Sequence, residues 1–243
     1  MSGWFRHFQN LYDIFNGTIS YQPNKHENIF CELLPFTLPR FEDVARRMEK
    51  YNCNLSTYLQ GLVSSTLGLF YSKEGCRILN SDWTGDDKQF LEQVYVETLE
   101  MLNHSDLCSM RNGDILYKTS LDYFGRLYAL KYDGTDSNFG WHYDSLGPEE
   151  YRAIFTVRQR GSRRFALAYQ TDEHSKVFMR PPTGGGVLIR SGETFHAVLP
   201  DPKGSGENDV ERTERWVIVF TYTTIKDDSR EYLGAVDKYF RKK

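Results

Sequence analysis

The spacing of apolar residues changes once along this chain, near Asp114, from a helical pattern to a strand-like pattern that continues to Ile225. The segments after that point are short, rich in β-branched and aromatic residues, and separated by clusters of Gly, Pro, Asp and Ser, as strands and turns are. The predicted strands are residues 115–118, 126–132, 139–144, 151–159, 164–170, 176–180, 186–190, 194–199 and 215–225. Many short strands with turns between them predict a sandwich or a jelly roll.

Helical spacing dominates the chain before Asp114, because apolar residues recur there three and four positions apart. The predicted helices are residues 4–15, 40–51, 54–70 and 86–103. An edge strand within residues 17–38 and a short strand at residues 77–79 are also expected. Long helices ahead of a run of strands predict helices that buttress one face of a sheet.

The length of 243 residues allows one large domain with a sizeable core. We divide the chain into an N-terminal helical support region, residues 1–113, a β-core, residues 114–225, and a C-terminal helix, residues 226–243. The predicted fold class is therefore mainly β with flanking α-helices, arranged as one structural domain.

Charge and cysteine content exclude several classes of protein. The formal net charge is −3, so no overall field favours nucleic acid or an anionic membrane. Cys31, Cys53, Cys76 and Cys108 are scattered and form no Cys-x-x-Cys motif, which indicates reduced thiols rather than a disulfide framework or a zinc site. The chain shows no signal-peptide pattern and no membrane-spanning run. We expect a soluble intracellular protein, cytoplasmic or nuclear, with no membrane association and no obligate protein partner.

The segment Trp141-His142-Tyr143-Asp144 lies in a predicted strand and carries the first two candidate metal ligands. Side chains two apart on a strand point the same way, so His142 and Asp144 can converge on one ion. His196, in a later predicted strand, offers a third ligand. Two histidines and one carboxylate suit Fe(II) and leave open positions on the opposite face of the ion. A His-x-Asp motif alone also occurs in surface loops, so the assignment depends on the pattern that follows.

Arg215 begins the last predicted strand, shortly after His196. A planar guanidinium can grip a carboxylate with two hydrogen bonds and stays charged when it is buried. In order, spacing and strand context, residues 126–225 resemble the Fe(II)- and 2-oxoglutarate-dependent oxygenases. That resemblance implies a double-stranded β-helix core with Fe(II) held by His142, Asp144 and His196. It also implies that Arg215 binds the distal carboxylate of the co-substrate 2-oxoglutarate.

The implied reaction uses dioxygen to decarboxylate 2-oxoglutarate to succinate and hydroxylates a substrate C–H bond. Arg215 lies farther from His196 along the chain than is usual in the family, and the excess, residues 201–209, has the composition of a loop. Arg212 is therefore a competitor for the same role. We favour Arg215 because the strand pattern begins at Trp216, whereas residues 211–214 are polar.

Two further residues are candidates for the co-substrate pocket. Tyr132 matches a tyrosine that lines this pocket in prolyl-hydroxylase-like members of the family. In the strand that follows the His-x-Asp motif, Arg152, Ile154, Thr156 and Arg158 share one face. If that face lines the cavity, Arg158 stands where related enzymes place a polar partner for the distal carboxylate. The alternative is that Arg158 is the solvated end of a strand.

The sequence is compatible with three classes of substrate. The spacing from Tyr132 to His142 favours the prolyl-hydroxylase-like branch and a protein side chain such as proline. The basic stretch 158–164 could contact phosphates and would then favour nucleobase oxidation or demethylation, or it is a solvated hairpin. A small metabolite is the third class.

Two functions without oxygen activation are also considered. The first is a jelly-roll binding or isomerase module such as a cupin, which Asp144 disfavours because cupins carry a second histidine there. The second is a non-catalytic scaffold, which the presence of all three ligands disfavours.

Overall fold

A computed structural model describes residues 29–51, 76–79, 82–105, 107, 114–119, 126–133, 139–144, 146–161, 165–172, 174–200 and 214–228. Several predictions lie outside these ranges: the helices over 4–15 and 54–70, residues 229–243 of the C-terminal helix, and Arg212. Neither of the two described helices combines the length and the apolar composition of a membrane span.

The described elements follow the predicted order closely. The helices are α1 (Phe41–Glu49) and α2 (Gly85–His104). The strands are β1 (Cys31–Leu33), β2 (Cys76–Leu79), β3 (Tyr117–Lys118), β4 (Leu127–Asp133), β5 (Phe139–His142), β6 (Glu150–Arg160), β7 (Phe165–Gln170), β8 (Lys176–Met179), β9 (Gly186–Ile189), β10 (His196–Pro200) and β11 (Glu214–Thr223). The predicted strands and the helices over 40–51 and 86–103 are thus confirmed, with bounds that differ by a few residues.

The strands form two antiparallel sheets that face each other. The larger has the order β1-β9-β6-β11-β4-β2, with β3 beside β11, and the smaller has the order β5-β10-β7-β8. From β4 to β11 the chain crosses from one sheet to the other at each step except the β7–β8 hairpin. This alternation is the double-stranded β-helix, so the predicted fold class is confirmed. The division at residue 114 stays a prediction, and β1 and β2, which precede it, extend the larger sheet.

The larger sheet is buried on both faces, and β11 shows how. Trp216, Ile218 and Phe220 belong to the cluster that packs against the helices, whereas Val217 and Val219 belong to a cluster between the sheets. A strand covered on both sides reads as a continuous apolar run, which explains why the sequence of β11 lacks polar alternation. Residues of β11 with odd numbers therefore point into the space between the sheets, the barrel interior.

Helix α2 is anchored to β11 by a reciprocal pair of tyrosines. The rings of Tyr95 and Tyr222 stack with centroids 4.7 Å apart. The Tyr95 hydroxyl donates to the carbonyl of Thr221 at 2.9 Å, and the Tyr222 hydroxyl donates to the carbonyl of Tyr95 at 2.9 Å. Each buried hydroxyl thereby has a partner, so the helix is fixed on the sheet without a polar group left unsatisfied.

Asp87 ties the two helices together. Its carboxylate accepts hydrogen bonds from Arg47, from Lys50 Nζ at 3.1 Å and from the Tyr51 hydroxyl at 3.1 Å. Burial acts to raise the pKa of Asp87, but the hydrogen bonds from Lys50, Arg47 and Tyr51 outweigh it and hold the pKa below the ordinary value of 3.8. The ionised carboxylate therefore stabilises the folded state.

Asp87→Asn is expected to lower the free energy of unfolding by about 2 kcal/mol at pH 7, because two cations lose their counter-charge. The folded-state pKa is lowered, so this contribution is complete above about pH 4 and is lost as the pH falls through the folded-state value. Urea unfolding at several pH values should show the two proteins converging in acid. Asp43→Asn, which removes an exposed pair with Arg46, is the control and should change little. An equal loss in both variants would contradict the assignment.

Candidate metal centre and co-substrate pocket

The structure brings His142, Asp144 and His196 together, with one ligand atom from each within 4.8 Å of the others. His142 Nε2 lies 3.6 Å from Asp144 Oδ1, and His196 Nε2 lies 3.8 Å from Asp144 Oδ2. The two imidazole rings are 4.3 Å apart between centroids. All three side chains are buried or nearly so, and two nitrogens with one carboxylate form a donor set suited to Fe(II).

Strand pairing places the two histidines. His142 ends β5 and His196 begins β10, and the two residues are direct partners across the antiparallel pair. Side chains of directly opposed residues lie on the same face, so both imidazoles enter the barrel interior. The sequence pattern alone could not give this pairing, because the residues are far apart along the chain.

Asp144 reaches the site by a different route from the predicted one. The predicted strand 139–144 ends at His142, so strand alternation does not orient Asp144. Its backbone N–H instead donates to the carbonyl of Ser191 at 3.0 Å, in the turn between β9 and β10. The prediction that one strand supplies both His142 and Asp144 is therefore wrong, because the backbone contact with Ser191, in a loop, places the Asp144 carboxylate beside the histidines.

The turn formed by residues 190–194, hereafter the ligand turn, supports two of the three ligands. Besides its bond to Asp144, it offers the carbonyl of Thr194, which lies 2.8 Å from His196 Nδ1. Gly192 in this turn lies so close to the carbonyl of Leu146 that a Cβ atom would overlap it. The Thr194 hydroxyl accepts from the N–H of Phe30 at 3.1 Å, which ties the turn to the residue before β1.

The protonation state of His196 suits a metal ligand. Burial, together with the neighbouring His142, lowers the pKa of His196 to about 4, so the ring is neutral near pH 7. A neutral ring that donates Nδ1–H to the carbonyl of Thr194 carries its lone pair on Nε2, which faces Asp144. The contact with Thr194 therefore selects the tautomer in which Nε2 can bind an ion.

Asp144 has a cationic neighbour that the sequence analysis did not assign to the site. The guanidinium of Arg152, in β6, donates through Nη1 to Asp144 Oδ2. Burial acts to raise the pKa of Asp144, but Arg152, His142 and His196 hold it well below its ordinary value. The carboxyl group is therefore ionised. The signal in the sequence was a charged residue on the same strand face as Ile154 and Thr156, since a buried charge requires a partner.

Arg215 lies in the barrel interior, as predicted, and its side chain is almost completely buried. Nη2 donates to the Thr156 hydroxyl at 3.4 Å, whereas Nη1 has no hydrogen-bond partner. Tyr132, also predicted, is its direct partner on β4, and the guanidinium carbon lies 5.9 Å from the centre of the tyrosine ring. Burial lowers the pKa of Arg215, yet an arginine stays charged in proteins. Among the described residues no carboxylate pairs with it.

The structure does not bring Arg158 to this pocket. The pairing of β6 with β11 shifts register, so that Trp216 opposes Arg158 while Val217 opposes Thr156. Such a bulge turns the following side chain to the other face. Arg158 consequently lies over the Trp216 ring, 3.9 Å from its centre, and pairs with Glu49 of α1. The structure therefore places Arg158 against α1 and Trp216 and not in the cavity, and its ion pair with the half-exposed Glu49 is partly open to solvent.

Topology and site together define a double-stranded β-helix with a candidate two-histidine, one-carboxylate metal centre. Comparisons with known protein families and with curated proteins give no match. Solved structures give similarities at low sequence identity. OsALKBH1 is 15% identical, with a TM-score of 0.48 over 78% of this chain and 96% of that protein.

Two other similar structures carry a description of activity or ligand. A prolyl-4-hydroxylase from Pseudomonas putida is 13% identical, with a TM-score of 0.44 over 81% of this chain and 95% of that protein. HygX from Streptomyces hygroscopicus, solved with nickel and 2-oxoglutarate bound, is 12% identical, with a TM-score of 0.44 over 89% of this chain and 92% of that protein. These values describe how similar the chains are, and they do not identify the substrate of this protein.

Proposed function

We propose that this chain is an Fe(II)- and 2-oxoglutarate-dependent dioxygenase that couples decarboxylation of 2-oxoglutarate to hydroxylation of a substrate C–H bond. One observation carries the proposal. The barrel that holds the His142, Asp144 and His196 cluster also holds Arg215, a buried guanidinium with an unpartnered N–H. A buried cation without a counter-charge is costly, so it marks the place of an anionic ligand.

The residues present fit both groups that this function requires. His142, Asp144 and His196 would hold the iron, and 2-oxoglutarate with dioxygen would supply its oxidising power. Arg215 would bind the distal carboxylate, with Nη1 as a free donor and the Thr156 hydroxyl beside it. A dicarboxylic keto acid matches this arrangement because it carries a chelating end and a second carboxylate.

Buried and largely apolar side chains surround Arg215 in the barrel interior. Tyr128, Leu130 and Tyr132 of β4 pack with Val217 and Val219 of β11, and all five are buried. A dry wall beside Arg215 strengthens its attraction for a carboxylate, since fewer water dipoles screen the charge. Arg215 would thus orient the co-substrate by one charge contact beside a largely apolar wall.

We infer three candidate classes of substrate, namely a protein side chain such as proline, a nucleobase or its methyl group, and a small metabolite. Within the basic stretch 158–164, Arg158 is engaged with Glu49 and Trp216, whereas Arg160 is exposed, so the stretch leaves the second class open. Succinate release measured against peptide, oligonucleotide and metabolite pools would select the class.

Anaerobic titration with Fe(II) and 2-oxoglutarate tests the proposed function directly. The expected result is a weak visible charge-transfer band that grows to saturation as the keto acid chelates the iron. The matched control ligand is 2-oxobutyrate, which has the same chelating end but no distal carboxylate, and it should bind much more weakly. A folded protein that gives no band with 2-oxoglutarate would contradict the proposal and favour a binding module of the same fold.

A further inference from the structure

Arg152 is the buried cation closest to the candidate ligands. Its Nη1 donates to Asp144 Oδ2, and its side chain is 12% exposed. The guanidinium carbon lies over the Tyr128 ring, 5.4 Å from its centre. Arg152 therefore contacts one of the candidate metal ligands directly.

We infer that Arg152 is a positioning residue that fixes Asp144 as a ligand through one oxygen only. The inference rests on the proposed function, because it concerns the same metal centre. A carboxylate can bind a metal ion through one oxygen or through both. Oδ2 lies 3.8 Å from His196 Nε2 but already accepts from Arg152, whereas Oδ1 lies 3.6 Å from His142 Nε2, so Oδ1 is the oxygen left for the ion. One-oxygen binding leaves free the positions that a chelating keto acid and dioxygen need.

The charges around Arg152 allow a cation to stand beside a metal centre. A lone guanidinium next to the ligands would repel a divalent ion. Glu150, two residues earlier on the same strand face, is fully buried and close enough to interact electrostatically with Arg152. Asp144 is the ion-pair partner of Arg152, and Glu150 adds a weaker negative charge on the same strand face, so Arg152 is not a lone cation.

Arginine has the geometry that this role requires. Its planar fork fixes the direction of a carboxylate oxygen, whereas a lysine ammonium can rotate about its stem. Partners that hold a metal ligand from behind typically change metal affinity by about 10- to 100-fold when they are removed. This range sets the size of the expected effect.

The test is a Co(II) titration of the metal-free protein, followed by visible absorption without co-substrate or turnover. We expect Arg152→Gln to bind Co(II) roughly 10- to 100-fold more weakly than the wild type, with an altered spectrum because Asp144 is free to rotate. Arg152→Lys should lie between the two. The matched control is Arg126→Gln, since Arg126 also pairs with a carboxylate, that of Glu92, and lies 5.3 Å from a tyrosine ring, but away from the site.

The outcomes separate this inference from the proposed function. Wild-type protein that binds no Co(II) would overturn both. If the wild type binds Co(II) and folded Arg152→Gln binds it with the same affinity and spectrum, the inference alone is overturned. Tighter binding in Arg152→Gln would also overturn it, because Arg152 would then act only as a repulsive charge. Arg126→Gln should bind as the wild type does, and a loss there would show a general effect of destabilisation. If Arg152→Gln does not fold, wild-type affinity and spectrum in Arg152→Lys would overturn the inference.

Discussion

Asp144→Ala and His142→Ala should each abolish succinate production from 2-oxoglutarate and weaken metal binding by more than roughly 100-fold, the upper range for groups that merely support a ligand. The reason is that each variant removes one of three ligand atoms that lie within 4.8 Å of one another. Two remaining ligands do not define a closed face of an octahedral ion. Co(II) titration measures the affinity, and succinate release in the presence of Fe(II) measures the activity.

The exposed turn between β7 and β8 supplies a control for this experiment with the same types of residue. Asp172 accepts hydrogen bonds from the N–H groups of His174 and Ser175, and both Asp172 and His174 are exposed. Asp172→Ala and His174→Ala should leave metal binding and succinate production unchanged. Succinate production that survives in Asp144→Ala would contradict the assignment of the metal centre.

Arg215→Met is expected to have two effects of opposite sign. It should raise the Kd for 2-oxoglutarate roughly 30-fold or more, because losing one partner of a buried charge pair costs about 2 to 5 kcal/mol. It should also stabilise the ligand-free protein by about 1 kcal/mol or more, because methionine fills the same space without a buried, unpaired charge. Isothermal titration measures the first effect, and urea unfolding without metal or ligand measures the second.

Two other arginines test whether this pocket is correctly assigned. Arg158→Gln should leave 2-oxoglutarate binding unchanged, because Arg158 contacts Trp216 and Glu49 on the helix side of the sheet. Arg212→Ala should also leave it unchanged if Arg215 is the co-substrate ligand. Weaker binding in Arg212→Ala, with normal binding in Arg215→Met, would reverse the choice between them. A ligand-free Arg215→Met that is less stable than the wild type would assign Arg215 a structural role instead.

The periodicity of the sequence was sufficient to predict most of the described elements. Helix α2 has a helical period, and the barrel strands are short runs of β-branched and aromatic residues between turn residues, so the local sequence predicts both. The candidate ligands followed for the same reason, since His142 and His196 lie in strands whose faces could be assigned. Tyr132 and Arg215 lie opposite each other on regular stretches of β4 and β11, and their role in binding a co-substrate stays a prediction.

The differences arose where local spacing no longer determines the direction of a side chain. Arg158 follows a register shift between β6 and β11, and such a bulge, which regular strand alternation does not predict, turns the next side chain to the other face. Asp144 lies beyond the end of β5, so its direction depends on Ser191. Arg152 could be placed on the interior face but not paired with Asp144, because that contact joins a strand to a loop.

The ligand turn makes the chemistry of the barrel depend on residues that precede it. The carbonyl of Thr194 orients His196, and the hydroxyl of Thr194 accepts a hydrogen bond from the backbone N–H of Phe30. The N–H of Arg190 donates to the carbonyl of Phe30 at 3.0 Å. A fragment starting at Asp114 would contain every proposed iron ligand and still lack this brace. Excision of the barrel for engineering should therefore retain the chain from Phe30 onward, and transplanting the three ligands onto another jelly roll would require an equivalent anchor.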